Sequence, residues 1–512
     1  MESVKSSHNL VLITVSLSAF IITLDSTFMN VSISYLIADL NTTLSTVQLI
    51  ILTYTLTVAS SMLFGSKLQD IIGRKETFIT GAAIYGVGAI IATLSLNSWM
   101  LFLGWSILEG IGSAFMIPAA VSIITGSYVG EKRTFAFGIR TAIAGIAAAL
   151  GPLIGGFLTT FFSWRYGFAM ELGVVVLVLI LSSKIKHFPK TTDKSGLDKL
   201  GVLLSISGLS ALVLGIWSIN YLKNHALSVG LIILGVLVLI IFVFGEKRRI
   251  KTNKEPLTDI RFFKDRNFTI GSINRVFIQM TMAGTIFILP VFLQQIVQAN
   301  AFTTGLALIP LTVGYLIFSI TSSKLASRIT PRHVISSGFL VAMAACIYLS
   351  YQFNLNTTIW QLVPGTFFLG AGMGLALPLS TDVTVSSVPP EKHSDASGLI
   401  STFSNLGSSM GTALVGVVLI TGLISGMTTA VSDTFPTNSP EEIQSEVSGW
   451  LEKMSTSNVK ELKSNEQATL SILVNKTVGE EMKTTFQFVG LIFLAGYISS
   501  LFIRQFNLQQ DK

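Results

Sequence analysis

Long apolar runs are the feature that most restricts how this chain can fold. Fourteen of them are about 18 to 26 residues long, the length that an α-helix needs to cross a bilayer core. That core offers no water to the backbone, so each run must form a helix whose own N–H and C=O groups bond one another. The sequence therefore predicts an all-α polytopic membrane protein. The runs begin near Leu10, Ser45, Thr77, Trp99, Arg140, Gly167, Leu200, Ala226, Phe268, Thr303, His333, Ile359, Ser397 and Thr485.

The positions of lysine and arginine predict how these spans are oriented. If the amino terminus is cytoplasmic, most of the 34 basic residues fall in cytoplasmic segments, and the short outer loops hold only Arg165 and Lys223. Cytoplasmic loops of membrane proteins carry this excess. We therefore expect both termini in the cytoplasm, and we call the side with the loops after odd-numbered spans the predicted outer side. The net charge of +7 then reflects orientation, and no nucleic-acid partner is expected.

The single cysteine, Cys346, lies within a span. One cysteine excludes a disulfide within the chain and a thiolate metal cluster, and no metal site is expected. The first span contains Asp25 and is much longer than the apolar core of a signal peptide, so we expect it to be retained.

Two short basic turns suggest a duplicated unit, as in many transporters. Ser66–Lys75 (SKLQDIIGRK) follows the second span and Ser323–Arg332 (SKLASRITPR) follows the tenth. Their positions predict two six-helix bundles separated by two additional helices. The expected regions are 1–186 with spans one to six, 187–266 with spans seven and eight, and 267–512 with spans nine to fourteen.

Four motifs resemble those of the major facilitator superfamily. Gly65–Lys75 (GSKLQDIIGRK) resembles its loop signature between spans two and three, and Leu24–Val31 (LDSTFMNV) resembles the first-span signature of its drug:proton antiporters. Gly151–Gly156 (GPLIGG) resembles the fifth-span antiporter motif, and Trp164–Phe168 (WRYGF) follows it. With fourteen spans, the chain is most similar to the 14-span drug:proton antiporters, which include the quaternary-ammonium and EmrB-type multidrug exporters. The resemblance implies their fold and a monomer in a bacterial cytoplasmic membrane, with no cofactor and the proton gradient as energy source.

The loop signature contains the expected gate residues Gly65, Asp70, Gly73, Arg74 and Lys75. The spacing of the two glycines predicts a tight hairpin that places Asp70 near helix ends, where a carboxylate can bond exposed amides and basic side chains. We therefore expect these residues to control conformation without touching substrate. A simple topology signal is the alternative.

The antiporter motif explains why one span contains so many helix-weakening residues. On a helical wheel Ala144, Ala148, Gly151, Pro152 and Gly155 fall on one side, which predicts a flat ridge that a neighbouring helix can approach closely. In the resembled family this motif, which here includes Gly156, seals the two bundles together on the outer side. An ordinary seam of small residues is the alternative.

Ionisable groups inside the spans are the candidates for chemistry, because burying a charge in the membrane costs several kcal/mol. Asp25 lies in span one, Glu109 at the centre of span four, and Glu171 at the start of span six near the outer mouth. Each could bind a proton from outside and release it inside as access alternates. Glu109 and Ser106 stand where the resembled family has glutamine and arginine, and Glu171 replaces its usual asparagine. A hydrogen-bonded structural carboxylate is the alternative at each position.

The second bundle has no central carboxylate and instead carries Arg275 and Gln279 in span nine. Arg275 could counter a carboxylate across a cavity, bind an anionic substrate group, or extend to the cytoplasm. We expect Trp105, Tyr54 and Asn30 to contribute to the proton-coupling and substrate cavity.

These features predict a proton-coupled efflux antiporter that exports lipophilic, cationic drugs by alternating access, and not an enzyme. The expected partners are amphipathic small molecules, protons and membrane lipids. An exporter of an endogenous lipid or metabolite is the alternative within transport, and a membrane sensor without transport is the alternative from another class. The sequence has no nucleotide-binding loop, metal-ligand set or nucleophile triad.

The polar outer segment 426–484 is expected to form a helical hairpin. Ser439 begins a capping box and Ser464 offers a second helix start, each followed by apolar residues at helical spacing. The sequence predicts two short amphipathic helices laid against the outer mouth or the lipid surface. A flexible acidic linker is the alternative.

Overall fold

The computed structural model of this protein consists of helices joined by short connections. It describes residues 2–128, 131–185, 198–219, 225–252, 254, 256–326, 328–354, 356–389, 393–434, 444 and 464–504. Within them, thirteen helices are long and apolar enough to cross a membrane, and a further long helix occupies the place of the fourteenth predicted span. They are α1 (Asn9–Asp39), α2 (Leu44–Ile72), α3 (Arg74–Thr93), α4 (Ser98–Ser127), α5 (Glu131–Phe161), α6 (Arg165–Ser183), α7 (Lys199–Ser218), α8 (His225–Lys251), α9 (Arg266–Ile296), α10 (Ala301–Ala326), α11 (Pro331–Ser350), α12 (Ile359–Ser386), α13 (His393–Thr434) and α14 (Ser464–Ser500).

Local sequence explains several of the helix ends. Thr43 and Asp265 accept backbone N–H groups at the starts of α2 and α9, and Thr358 begins α12 with a capping box. These side chains satisfy amides that have no partner within the helix. Gly73 ends α2 with a φ of 112°, in a region of backbone conformation that glycine adopts without strain.

The helices pack as two groups of six, with a pair beside them. Helices α1 to α6 pack on one another, as do α9 to α14, and we call these the first and second bundle. Helices α7 and α8 pack mainly on each other, and α7 also contacts α2 and α13. The two bundles meet along α2 with α13 and along α5 with α10. At the first of these contacts, Gln48 Nε2 donates to Thr412 O at 2.8 Å and Ser409 Oγ donates to Leu52 O at 2.9 Å.

The predicted outer hairpin differs from the structure where it can be compared. Its first helix, from Ser439, lies outside the described residues apart from Gln444. A helix begins at Ser464, but it runs without a break to Ser500 and is therefore the start of α14, not a separate short helix. No proline interrupts this segment, so the polar residues extend the apolar span as one helix.

Candidate functional site

Three carboxylates from different helices meet inside the first bundle. Asp25 of α1, Glu109 of α4 and Glu171 of α6 each contribute an oxygen, and these oxygens lie within 4.8 Å of one another. All three side chains are 0% exposed. Glu171 lies in the second turn of α6, toward its predicted outer end, and is nevertheless fully buried. We call these three residues the carboxylate cluster.

Hydrogen bonds satisfy only part of the carboxylate cluster. Trp105 Nε1 donates to Asp25 Oδ1 at 2.7 Å, and the Tyr85 hydroxyl donates to Glu171 Oε2 at 3.1 Å. Asp25 Oδ2, Glu171 Oε1 and both oxygens of Glu109 have no hydrogen-bond partner in the described part of the chain. Buried polar atoms nearly always have partners. The arrangement therefore suits carboxyl groups that hold protons and donate to one another, and an all-oxygen donor set is also the kind that hard metal cations prefer.

A local distortion of α4 accompanies the position of Glu109. Residues Phe102–Glu109 form a π-helical segment, a feature that is frequent at functional sites. Glycines let α3 approach this segment closely: a Cβ on Gly88 would lie 2.7 Å from Glu109 Cγ, and a Cβ on Gly104 would lie 2.8 Å from Ala92 N. Larger residues at these two positions would force the helices apart.

Aromatic side chains pack around the carboxylate cluster. Tyr54 stacks on Trp105 with ring centroids 5.5 Å apart, and its hydroxyl lies 3.3 Å from Ser113 Oγ. Tyr54 and Trp105 are both buried. Asn30 Nδ2 bonds to the Ser26 carbonyl within α1 at 3.2 Å. All three residues are buried, and Trp105 and Tyr54 lie beside Asp25; their expected contribution to the proton-coupling and substrate cavity stays a prediction.

A small cavity of about 20 Å³ lies between the two bundles, with room for about one water molecule in this conformation, and we call it the central cavity. Its polar groups are the hydroxyls of Thr27, Thr312 and Tyr315, and none of the described residues that line it is a carboxylate. The carboxylate cluster is therefore separate from the cavity, although Thr27 is only two residues from Asp25 on α1. The lining consists of Thr27, Ala148 and Pro152 from the first bundle and Met282, Ile286, Leu308, Leu311, Thr312 and Tyr315 from the second.

Arg275 and Gln279 lie half-buried on the face of α9 that also carries Met282. The Arg275 guanidinium donates through Nε to Ser404 Oγ and through Nη1 to Thr381 Oγ1. No ion pair between Arg275 and a carboxylate is present among the described residues. The structure thus gives no support to the expectation that Arg275 counters a carboxylate of the first bundle.

The antiporter motif packs α5 against two different helices. A Cβ on Gly155 would lie 2.5 Å from Phe28 O of α1, and Gly151 also faces α1. A Cβ on Gly156 would lie 2.5 Å from Ala301 O of α10, and the Pro152 carbonyl lies against Gly305 of the same helix. The expected single ridge is therefore two contacts: Gly151 and Gly155 pack within the first bundle, whereas Pro152 and Gly156 contact the second.

Hydrogen bonds also join the bundles at the predicted outer side. Gln294 of α9 donates through Nε2 to Val31 O at 2.6 Å and accepts from Ser34 N at 3.0 Å. Phe302 N donates to Thr160 Oγ1 at 3.0 Å. These groups lie at the ends of α1, α5, α9 and α10 that adjoin the predicted outer loops, so the bundles are held together at this end.

The gate residues connect the α2–α3 turn to other helices of the first bundle. Lys75 Nζ donates to two carbonyl oxygens at the end of α6, at 2.9 and 2.6 Å, and Arg74 donates to a carbonyl of α4 at 3.2 Å. Gly73 makes the turn and Asp70 lies in the last turn of α2. Gly65 was expected to help form the hairpin, but it lies two turns inside α2, packed on the backbone of α4.

Two helical bundles that enclose a cavity, closed together at one end, with buried ionisable groups beside it, define a membrane transporter. The chain belongs to the major facilitator superfamily, whose sequence model matches residues 15–412. This is a family of transporters and not of enzymes. The predicted family and its all-helical fold are therefore confirmed.

One known relative and one solved structure cover nearly all of the chain, and a second relative covers about four fifths of it. The multidrug transporter protein MdtP of Bacillus subtilis (strain 168) is 25% identical, over 100% of this chain and 96% of its own. The probable multidrug resistance protein EmrY of Escherichia coli (strain K12) is 27% identical, over 79% and 78%. A bacterial homolog of the human lysosomal transporter Spinster, solved in an inward-facing and unoccupied conformation, matches with a TM-score of 0.66 at 16% identity, over 98% of this chain and 99% of that one. The protein is a multi-pass membrane transporter distantly related to drug efflux pumps.

Proposed function

We propose that this protein is a proton-coupled efflux antiporter that exports lipophilic compounds across a bacterial cytoplasmic membrane by alternating access. The observation that carries the proposal is the carboxylate cluster, which is fully buried and lies beside the central cavity without lining it. An ion site and an apolar substrate site in one bundle pair are what an exchanger of protons for lipophilic compounds needs.

The coupling follows from the charge of the cluster. Three carboxylates within 4.8 Å of one another cannot all be ionised in an interior of low dielectric constant, because like charges this close repel strongly. Opening the cluster to the acidic outer side lets it take up protons, and opening it to the cytoplasm lets it release them. Asp25 and the cavity residue Thr27 are both on α1. A movement of α1 caused by substrate in the cavity would therefore also move Asp25 within the carboxylate cluster.

The residues that line the central cavity decide what can be proposed about the charge of the substrate. Our expectation of cationic drugs depended on carboxylates facing the substrate, and in this conformation no carboxylate lines the central cavity. The proposal therefore covers lipophilic compounds without a fixed sign of charge. Export of an endogenous lipid or metabolite is the second candidate, and Arg275 on the cavity face of α9 favours it.

Purified protein in proteoliposomes with an imposed pH gradient tests the proposal. Ethidium and a neutral dansyl alkyl ester are the transported probes, and we expect both to accumulate against their concentration gradients on the acidic side. Asp25→Asn should abolish this accumulation, because an amide keeps the shape of the carboxyl but cannot titrate.

Two controls make the result specific to protons and to the cluster. Asp382→Asn removes an exposed carboxylate of α12 and should leave accumulation unchanged. A sodium gradient without a pH gradient should drive no transport. Accumulation driven by a sodium gradient alone would show that the coupling ion is a metal cation and not the proton. Normal pH-driven accumulation by the Asp25→Asn protein would show that the carboxylate cluster is not needed for coupling.

A further inference from the structure

A positive charge lies on the same face of α9 as two residues of the central cavity, although it does not line the cavity itself. Arg275, Gln279, Met282 and Ile286 follow one another at intervals of three or four residues, so they share a face of α9, and the last two line the cavity. Arg275 lies about 10 Å along the helix from Met282, toward the predicted cytoplasmic end. Tyr315 lines the cavity from α10.

The charge of Arg275 is not neutralised by the protein. A guanidinium has five N–H donors, and in the described part of the chain its hydrogen-bond partners are the uncharged hydroxyls of Ser404 and Thr381. These two bonds fix the orientation of the side chain but leave its charge uncompensated. Burying such a charge within a membrane protein costs free energy unless an opposite charge or water stabilises it.

We propose that Arg275 binds an anionic group of the transported compound, while the apolar body of that compound occupies the central cavity after it has widened by movement of the bundles. The inference rests on the proposed function, because it assumes that this cavity holds the substrate. A carboxylate, sulfonate or phosphate fits the planar guanidinium, whose remaining N–H groups can form paired hydrogen bonds with two oxygens. Gln279, one turn away on the same face, is a further donor for the same group. Among the lipophilic compounds that the protein transports, anionic amphiphiles should thus bind more tightly than neutral compounds or cations of the same size.

Equilibrium binding in nanodiscs tests this separately from transport. The probes are dansylaminoundecane sulfonate, a methyl ester of matched chain length and a matched trimethylammonium compound, which share the fluorophore and the apolar body. We expect the wild-type protein to bind the sulfonate at least about tenfold more tightly than the ester, as one charge-assisted interaction allows. Equal affinity for sulfonate and ester, or tighter binding of the trimethylammonium compound, would overturn the proposal without any variant.

Variants then show which residue is responsible for the preference for the sulfonate. Arg275→Gln should lose the preference for the sulfonate while keeping its affinity for the ester, which also shows that the cavity is intact. Arg275→Lys should keep part of it. Arg266→Gln is the matched control, because Arg266 is an exposed arginine at the start of the same helix, more than two turns from Arg275, and the preference of this variant for the sulfonate should be unchanged. Retention of the full preference by Arg275→Gln would exclude this residue as the site.

A lipid and a cytoplasmic compound can both supply the anionic group. Nanodiscs with and without phosphatidylglycerol distinguish them: competition by the lipid identifies a lipid headgroup as the occupant, and its absence identifies a compound from the cytoplasm. Failure of the proposed function has a different signature, because the ester would then bind but show no pH-driven transport, whatever the sulfonate does.

Discussion

Replacing Gly156 with alanine should open the predicted outer side of the transporter. The added Cβ would lie 2.5 Å from Ala301 O and 2.9 Å from the Phe302 Cα, whereas ordinary contacts begin at 3.4 Å. The obstacles are backbone atoms of α10, which no side-chain rotation can move, so α5 and α10 must separate. Overpacking of this kind costs about 1 to 3 kcal/mol. It destabilises only the outer-closed conformation, in which the two bundles are in contact at this point. The ratio of outer-open to outer-closed molecules should therefore rise about 5-fold to 160-fold.

Gly155→Ala is a matched control for this experiment. Its Cβ would also lie 2.5 Å from a backbone oxygen, that of Phe28, but this contact is within the first bundle. It should lower thermal stability in both conformations without shifting their ratio. The chain has one cysteine, the buried Cys346, so spin labels can be placed on a Cys346→Ser background.

Labels at Asn41 and Asn356, exposed positions of the α1–α2 and α11–α12 turns, report the distance between the bundles at this side by double electron–electron resonance. The Gly156→Ala protein should populate longer distances than the wild type, and the Gly155→Ala protein should not. An unchanged distribution for Gly156→Ala, or a shift in the Gly155→Ala protein alone, would refute the assignment of these two glycines to different helix contacts.

Three further substitutions test other parts of the account. Gln294→Ala removes two hydrogen bonds between α9 and α1 and should lengthen the same label distance, whereas Gln298→Ala should not. Lys75→Met removes two hydrogen bonds from a buried ammonium to the end of α6, each worth about 1.5 to 3 kcal/mol. The melting temperature of this variant should therefore fall. A fall no larger than that of the Lys184→Met protein, which loses an exposed lysine, would show that the contact is not stabilising. Trp105→Phe removes the indole donor to Asp25 but keeps an aromatic ring, so pH-driven export should drop severalfold, and a rate equal to that of the exposed Trp99→Phe would contradict this role.

The helices were predictable because a bilayer dictates them through length and hydrophobicity alone. The start of α2 at Leu44 and of α12 at Ile359 agree with the predicted starts within a residue. The start of α14 differs because the twenty or so polar residues before Thr485 are not apolar enough to be recognised as part of a span, although they continue the same helix from Ser464. Hydropathy identifies the membrane-embedded part of a helix and not its full length.

The members of the carboxylate cluster were predictable, but their meeting was not. Asp25, Glu109 and Glu171 stand out in the sequence because carboxylates are rare inside spans. Their convergence depends on how α1, α4 and α6 rotate and slide against one another, and a single sequence contains no signal for that. Tyr85 was missed for the same reason, since a tyrosine in α3 is unremarkable until Glu171 is known to face it.

Helical periodicity also leaves the choice of neighbour open. The wheel placed Gly155 and Gly151 on one side of α5 correctly, but it could not tell that this side faces α1 and that Gly156 faces α10. Likewise Tyr54 and Trp105 are aromatic residues that could line a cavity or fill a bundle. Their stacking beside Asp25 follows from packing between α2 and α4, which the sequence does not encode locally.

Proton movement driven by a substrate gradient shows whether the transporter exchanges protons for substrate at the carboxylate cluster. Proteoliposomes are loaded with ethidium and a luminal pH dye and then diluted into dye-free buffer without an imposed pH gradient. If protons are exchanged for substrate at the carboxylate cluster, the lumen of wild-type vesicles should acidify as ethidium leaves. The change should be absent with Asp25→Asn and reduced with Glu109→Gln. Loss of ethidium without acidification in the wild type, or acidification of wild-type size in both variants, would contradict proton coupling at this site.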